Sequence, residues 1–228
     1  MSERATDVQT IAALHESWVR LGVPAGRSDD WVRDMTGMAA ARSRIVAAGG
    51  WTAGPSTLLG VLDLSRNEVQ NCRVVRWLLD PLARHGFGAV LVKSLCDFFA
   101  LPISQPELAR VSAEITRDDT RADLVIEGLD GGRMLVIEAK IDAGEGDRQA
   151  HRLETLWPEA DRLGFLTVGG DRLPSTASDP ARWLPISWEW FANEVTNILN
   201  GSQPEDPRAI DAQRAAADWA AGTRRNLS

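Results

Sequence analysis

A chain of 228 residues, 44% hydrophobic and 25% charged, holds enough apolar material for one domain with a buried core. Its formal net charge of -7 argues against a non-specific nucleic-acid coat, and no apolar run reaches the roughly 20 residues that span a bilayer. The polar start MSERATDVQT lacks a signal-peptide core, so a cytoplasmic location is expected. Cys72 and Cys96 lie in apolar, helical-looking segments without zinc spacing and read as small buried hydrophobes.

Charge is unevenly spread. Residues 1–100 hold 11 Lys+Arg against 10 Asp+Glu, whereas residues 101–228 hold 14 against 22. The acidic excess gathers in the second part, where the strand-like segments are.

In chain order, Val8, Ile11, Leu14 (or His15), Trp18 and Leu21 recur at helical spacing and predict a helix over 5–22. A second helix is expected from a Ser28 or Asp29 cap to the stop at Gly49-Gly50. A third runs from about Ser65 to Leu79, ended by Asp80-Pro81, and a fourth from Gly88 to Ala100. The period then changes. In LARVSAEITRDD, Leu108, Val111, Ala113 and Ile115 alternate against Ser112, Glu114 and Thr116, as in a half-buried strand. ADLVIEG and RMLVIEAKI read as two more strands. GDRQAHRLETLWPEADRLG reads as a helix with Leu153, Leu156 and Trp157 inward, and FLTVGG as a short strand. WLPISWEWFANEVTNILNG gives a last strand running into a helix. SQPEDP is a linker before a terminal helix.

The predicted fold is α/β, an antiparallel meander leading into a β-α-β crossover and flanked by helices. Residues 56–201 form the core, 1–55 an added N-terminal helical segment packed on it, and 202–228 a C-terminal helix. The nine tryptophans read as core packing, with base stacking as the alternative.

The segment MLVIEAK at 134–140 poses the functional question. A core-grade strand ends in Glu138 and Lys140, which alternation points to one side. The upstream Asp130-Gly131 pair predicts a hairpin turn, and a turn centred there places Asp123 opposite Glu138. Two opposed carboxylates repel and need a positive charge between them. Lys140 supplies part of it, and a hard divalent cation such as Mg²⁺ or Mn²⁺ would supply the rest, with the Ala139 carbonyl as a further ligand. Such a metal polarises a phosphoryl oxygen and lowers the pKa of water, and the amine orients that water or stabilises developing charge. Among 25 Lys+Arg, only Lys93 and Lys140 are lysines, so a compact point charge is retained beside Glu138 where arginine is the rule. The bland reading is a solvated ion pair at a strand end.

These residues resemble the signature of the PD-(D/E)XK nuclease superfamily: an acid, a hairpin, then E-x-K. Asp123, Glu138 and Lys140 take the three signature positions, with Ala122 where a proline often stands. NEVQNCRVVRWLLDPLARHGFG, GEGDRQAHRLETL, GFLTVGG and WLPISWEWFANEV resemble the flanking elements of one bacterial branch, over roughly residues 60–200. The resemblance implies a restriction-endonuclease-like mixed sheet. It implies that Glu68 completes the acidic cluster and that Gln149 lines the site, although Glu68 also fits a helix-start acid and Gln149 an exposed polar residue. Asn71 stands where that branch often has histidine, and His85 reads as a turn residue.

The implied function is a Mg²⁺-dependent endonuclease, with Mn²⁺ as substitute. It would hydrolyse DNA ahead of RNA, in phage defence or restriction. A homodimer or a defence-system partner protein is a further expectation. The alternatives are an inactive nuclease fold kept as a nucleic-acid or protein-binding module, and an interaction protein docking through its tryptophan-bearing helices.

Overall fold

Runs of aliphatic and β-branched residues without polar alternation suit strands covered on both faces, and the two richest runs here occupy the middle of a sheet. The computed structural model describes residues 25–48, 54–201 and 207–227. Two units are distinguished, Met1–Gly54 and Pro55–Ser228. The described element of the first is one helix, α1 (Ala25–Ala47). It includes Ser28 and Asp29, where the sequence suggested a cap. The helix predicted over 5–22, the Gly49-Gly50 stop and residues 202–206 of the linker lie outside the described residues.

The second unit begins with α2 (Leu58–Val61), α3 (Glu68–Leu79) and α4 (Val90–Phe98). Strands β1 (Arg110–Arg117), β2 (Thr120–Glu127) and β3 (Leu135–Ala139) follow as an antiparallel meander. Helix α5 (Gln149–Leu156) crosses to β4 (Arg162–Thr167), parallel to β3, and β5 (Trp183–Ser187) extends the sheet in parallel. The sheet order is β1-β2-β3-β4-β5, and α6 (Trp188–Gly201) and α7 (Pro207–Asn226) close the unit. This is the mixed α/β sheet expected.

All five residues of β3 are buried. One apolar cluster unites Leu124, Ile126, Leu135 and Ile137 with Val75, Leu91, Leu95, Phe191 and Trp219 of α3, α4, α6 and α7. A second unites Val125, Val136, Leu163 and Phe165 with Leu153 and Trp157 around α5. Each such aliphatic side chain contributes about 1.5–3 kcal/mol on burial. Cys72 and Cys96 are both buried free thiols, as expected.

Two elements depart from the sequence reading. Leu108 lies in a 3-10 turn and is exposed, and Ile115 is exposed too. The reason is that β1 is the sheet edge and Glu114 within it has a left-handed φ of 56°, which interrupts the alternation. Helix α5 ends at Leu156, half-buried rather than inside, because Pro158 disfavours helix at Trp157. Residues 162–164 then join β4, which starts earlier than FLTVGG implied.

Polar staples hold the layers. Asn71 is buried on α3, its amide donating to the carbonyls of Ser65 and Asn67 and accepting from Trp219 Nε1 at 2.9 Å. It thus anchors α7. His85, fully buried, accepts from Phe87 N–H at Nδ1, which leaves Nε2 to donate to the Asp80 carbonyl. The ring is neutral and clamps the turn after α3, as the turn reading implied.

Gly164 of β4 pairs with Ile137, and a Cβ there would lie 2.9 Å from the Phe99 ring and 3.0 Å from the Ile137 side chain. Gly164→Ala is expected to cost about 1–3 kcal/mol, read as a lowered thermal midpoint. An unchanged midpoint would show that Phe99 moves aside freely. His85 gives a pH prediction. Burial lowers its pKa below the usual value, outweighing its bonds to Asp80 and Trp77 carbonyls. Its contribution is therefore complete above the unfolded pKa of about 6.5 and is lost as pH falls below it. The stability advantage of wild type over His85→Asn should shrink from about pH 7 to about pH 5, measured by urea unfolding. A constant advantage would refute the buried neutral ring.

Candidate active site

The β2–β3 ladder runs Ile126↔Leu135, Val125↔Val136, Leu124↔Ile137. Extended by one step, it sets Asp123 across from Glu138, the register read from the sequence. The connection is longer than a two-residue turn. Beyond the last ladder pair, Ile126 and Leu135, it covers 127–134 and includes a 3-10 turn at Asp130–Gly132, with Gly131 and Gly132 at φ of 71° and 76°. Register survives because the longer loop is symmetric about the same Asp130-Gly131 centre. Asp130 fixes it by accepting from Ser104 N–H at 2.8 Å and Ser104 Oγ at 2.6 Å.

Beyond Leu124 and Ile137 the two strands part. Glu138 and Ala139 pair only with Phe165 and Leu166 of β4. The backbone groups of Ala139 that would have faced β2 need other partners. Asp123 Oδ2 accepts from Ala139 N–H at 2.8 Å, and the Ala139 carbonyl accepts from Lys140 Nζ at 3.1 Å. The candidate site is this gap between parted strands.

The other expected residues converge on it. Lys140 Nζ also donates to Glu138 Oε1 in a short contact, and Gln149 Nε2 donates to the same oxygen from the start of α5. Glu68, the first residue of α3, accepts from Ile141 N–H at 3.1 Å through Oε2, and its Oε1 lies 3.9 Å from Lys140 Nζ. Asp123, Glu138 and Lys140 are 6%, 2% and 6% exposed, so these charges sit in the protein interior rather than on a solvated strand end. That burial disfavours the bland ion-pair reading, because a surface pair would be solvated.

The electrostatics follow. Burial pushes Glu138 up to about 8, and repulsion from Asp123 adds to the rise against the pull of Lys140. Burial also raises Asp123 and Glu68, opposed in both by Lys140. Burial lowers Lys140, but Glu138, Glu68 and Asp123 outweigh it and leave the ammonium more firmly protonated than usual. Lys140 is thus a cationic donor, and the carboxylates are under strain to lose charge.

Neighbouring backbone and side-chain groups fix these aims. Lys140 N–H donates to the Leu166 carbonyl at 2.7 Å, and Trp188 Nε1 donates to the Lys140 carbonyl at 3.3 Å. Gln149 Oε1 accepts from Gly146 N–H at 3.0 Å, orienting the amide toward Glu138. Glu145 binds Ser175 N–H, Thr176 N–H and Thr176 Oγ1, while Thr176 Oγ1 accepts from Ala150 N–H. A loop is thereby tied to the start of α5. Sequence reading missed the roles of Ile141 N–H, Glu145 and Trp188, since each depends on contacts distant along the chain. It also missed Arg121, whose charge acts on both Asp123 and Glu68. Its place two residues before Asp123 in one strand was the available signal.

Among the described residues, no group of three or more His, Cys, Asp or Glu side chains is placed to hold a metal ion. The donor set nonetheless fits a hard cation. Glu138 Oε2 is buried without a hydrogen-bond partner, Asp123 is close enough to repel Glu138, and the Lys140 ammonium bridges Glu138 Oε1 and the Ala139 carbonyl. Mg²⁺ characteristically takes one or two carboxylates and completes its shell with water and substrate oxygens.

A mixed sheet with acids and a lysine where its central hairpin opens defines a restriction-endonuclease-like fold. A family model for the PD-(D/E)XK nuclease superfamily matches residues 58–203. The chain belongs to that superfamily. No curated protein and no solved structure matches it. No helix among the described residues is long and apolar enough to cross a membrane.

Asp123→Asn removes one of the crowded charges yet keeps an oxygen for Ala139 N–H. It is expected to raise stability in EDTA by about 1 kcal/mol, a shift of about 2–4 °C, while weakening Mn²⁺ binding. Calorimetry and thermal melts check both. A lower midpoint in EDTA would show that the Asp123 charge stabilises the metal-free fold.

Proposed function

We propose that the protein is a metal-dependent endonuclease that hydrolyses phosphodiester bonds of DNA, with RNA the lesser substrate. The observation that carries the reading is the buried Glu138 Oε2, which no protein donor satisfies, on a carboxylate that has Asp123 beside it and the Lys140 ammonium on its other oxygen. A pure binding module gains nothing from burying opposed carboxylates at such cost. Membership of a nuclease superfamily supports the same reading. A role in phage defence or restriction belongs to the proposal through family likeness alone.

Asp123, Glu138 and the Ala139 carbonyl would hold Mg²⁺, with Mn²⁺ as substitute, and Glu68 completes the acidic wall. The bound cation supplies charge neutralisation at the phosphoryl oxygens and acidifies water. Lys140 orients the attacking water and donates toward charge developing on the phosphoryl group, as a raised-pKa ammonium can. Gln149 is a positioning residue: it donates to Glu138 Oε1 and so fixes the carboxylate that would help hold the metal. In the net reaction the water oxygen bonds to phosphorus, one bridging P–O bond breaks, and the departing oxygen gains a proton.

The test is incubation with supercoiled plasmid, linear duplex, single strands and RNA, in Mg²⁺ and in EDTA. Cleavage is expected with metal only. Lys140→Arg keeps the charge but must seat a planar fork where a point donor fits. Misplacement by about 1 Å costs on the order of 100-fold in rate, so this variant should lose most activity while binding Mn²⁺ normally. Full activity in Lys140→Arg would show that any cation suffices. Wild-type protein that binds nucleic acid and metal but cuts nothing would favour the inactive binding module.

A further inference from the structure

Beside the carboxylate site lies a cationic pair, Arg73 and Arg121, of which only Arg121 has been met above, through its charge on Asp123 and Glu68. Arg73 of α3 reaches Glu114 Oε2 through Nη2 at 3.1 Å, and Arg121 of β2 reaches Glu114 Oε1 through Nη1 at 3.5 Å. Two guanidiniums share one carboxylate, which leaves a net positive charge. Both arginine side chains are about half exposed, at 56% and 48%, whereas Glu114 is 25% exposed beneath them. Arginine carries five donors in a planar fork that matches phosphate. Each contact described here uses one nitrogen of its guanidinium, so donors remain on each for a ligand.

The location is the informative part. Ala113↔Leu124 and Ile115↔Ala122 flank Glu114 of β1 and place it opposite Asp123 of β2. At that position β1 takes up a left-handed φ of 56°, which is unfavourable for glutamate. Exposed ion pairs contribute little stability, so the strain is not offset by these pairs. It is accounted for if the backbone is shaped to aim Glu114 at its two arginines. The carboxylate site is rich in acids, so an anionic strand needs a positive seat near it to approach at all.

We propose that Arg73 and Arg121, held together by Glu114, form a seat for a backbone phosphate of the substrate strand, next to the phosphate that is cut. The inference rests on the nuclease reading and adds to it a strand-binding site. The contact is with phosphate, so it carries no base specificity. Glu114 is a positioning residue that keeps the two forks side by side.

The test uses the full chain and a fluorescein-labelled duplex oligonucleotide, with calcium replacing magnesium for binding and magnesium restored for cleavage. Arg73→Gln and Arg121→Gln should each raise Kd about tenfold and reduce the slope of log Kd against log salt by about 1. KM should rise more than kcat falls, with the thermal midpoint retained in both variants and Mn²⁺ affinity retained in Arg73→Gln. Arg121→Lys should recover the salt slope and part of the affinity. Arg133→Gln, at the far turn of the hairpin, should change neither. Wild-type affinity and slope in both glutamine variants, with wild type binding and cutting, would overturn the seat and leave the nuclease reading standing. A weakened Kd accompanied by an equal loss of thermal stability would assign the arginines to the fold instead. Wild type that neither binds nor cuts any nucleic acid would overturn both readings together.

Discussion

The parting of β2 from β3 after Leu124 and Ile137 is the constraint on which the site depends. A continued ladder would pair Ala139 with backbone and close the gap. Instead its N–H is taken by the Asp123 carboxylate and its carbonyl by the Lys140 ammonium. Polar side chains thereby substitute for a missing strand pair. They satisfy buried backbone groups and bring charge to one point in a single arrangement.

That arrangement is costly without a ligand. Three carboxyl groups, from Glu68, Asp123 and Glu138, crowd one ammonium, and Glu138 is driven up to about 8 in response. The rest of the unit tolerates this because its two apolar clusters are well filled and its helices are stapled. Asn71 joins α3 to α7, and His85 clamps the turn that follows α3. Since Glu68 is the first residue of α3, the staple through Asn71 also steadies the acid it contributes. The packing that secures the terminal helix and the geometry of the acidic wall are thus mechanically connected.

Much of the central hairpin was legible in the sequence. Alternation set Glu138 and Lys140 on one side, and the Asp130-Gly131 pair set the centre of the turn, so the opposition of Asp123 and Glu138 followed by counting. The count held although the loop was longer than supposed, because its extra residues fall equally on the two arms. Glu68 and Gln149 were available only through family likeness. Nothing in their local patterns distinguishes them from an acid at a helix start and a surface amide. Edge burial was misread at Leu108 and Ile115, because alternation shows that a strand has two faces but not whether either is covered.

The sequence by itself determined the elements, the hairpin register and the chemistry of the strand end, since these follow from local periodicity and turn preferences acting over a few residues. Only the tertiary structure decided where the strands part, that Ile141 N–H receives Glu68, that Trp188 holds the Lys140 backbone, and that Arg73 and Arg121 meet at Glu114. Each of these joins residues far apart along the chain. Their meeting is set by how helices and sheet pack their apolar faces, which no local pattern encodes.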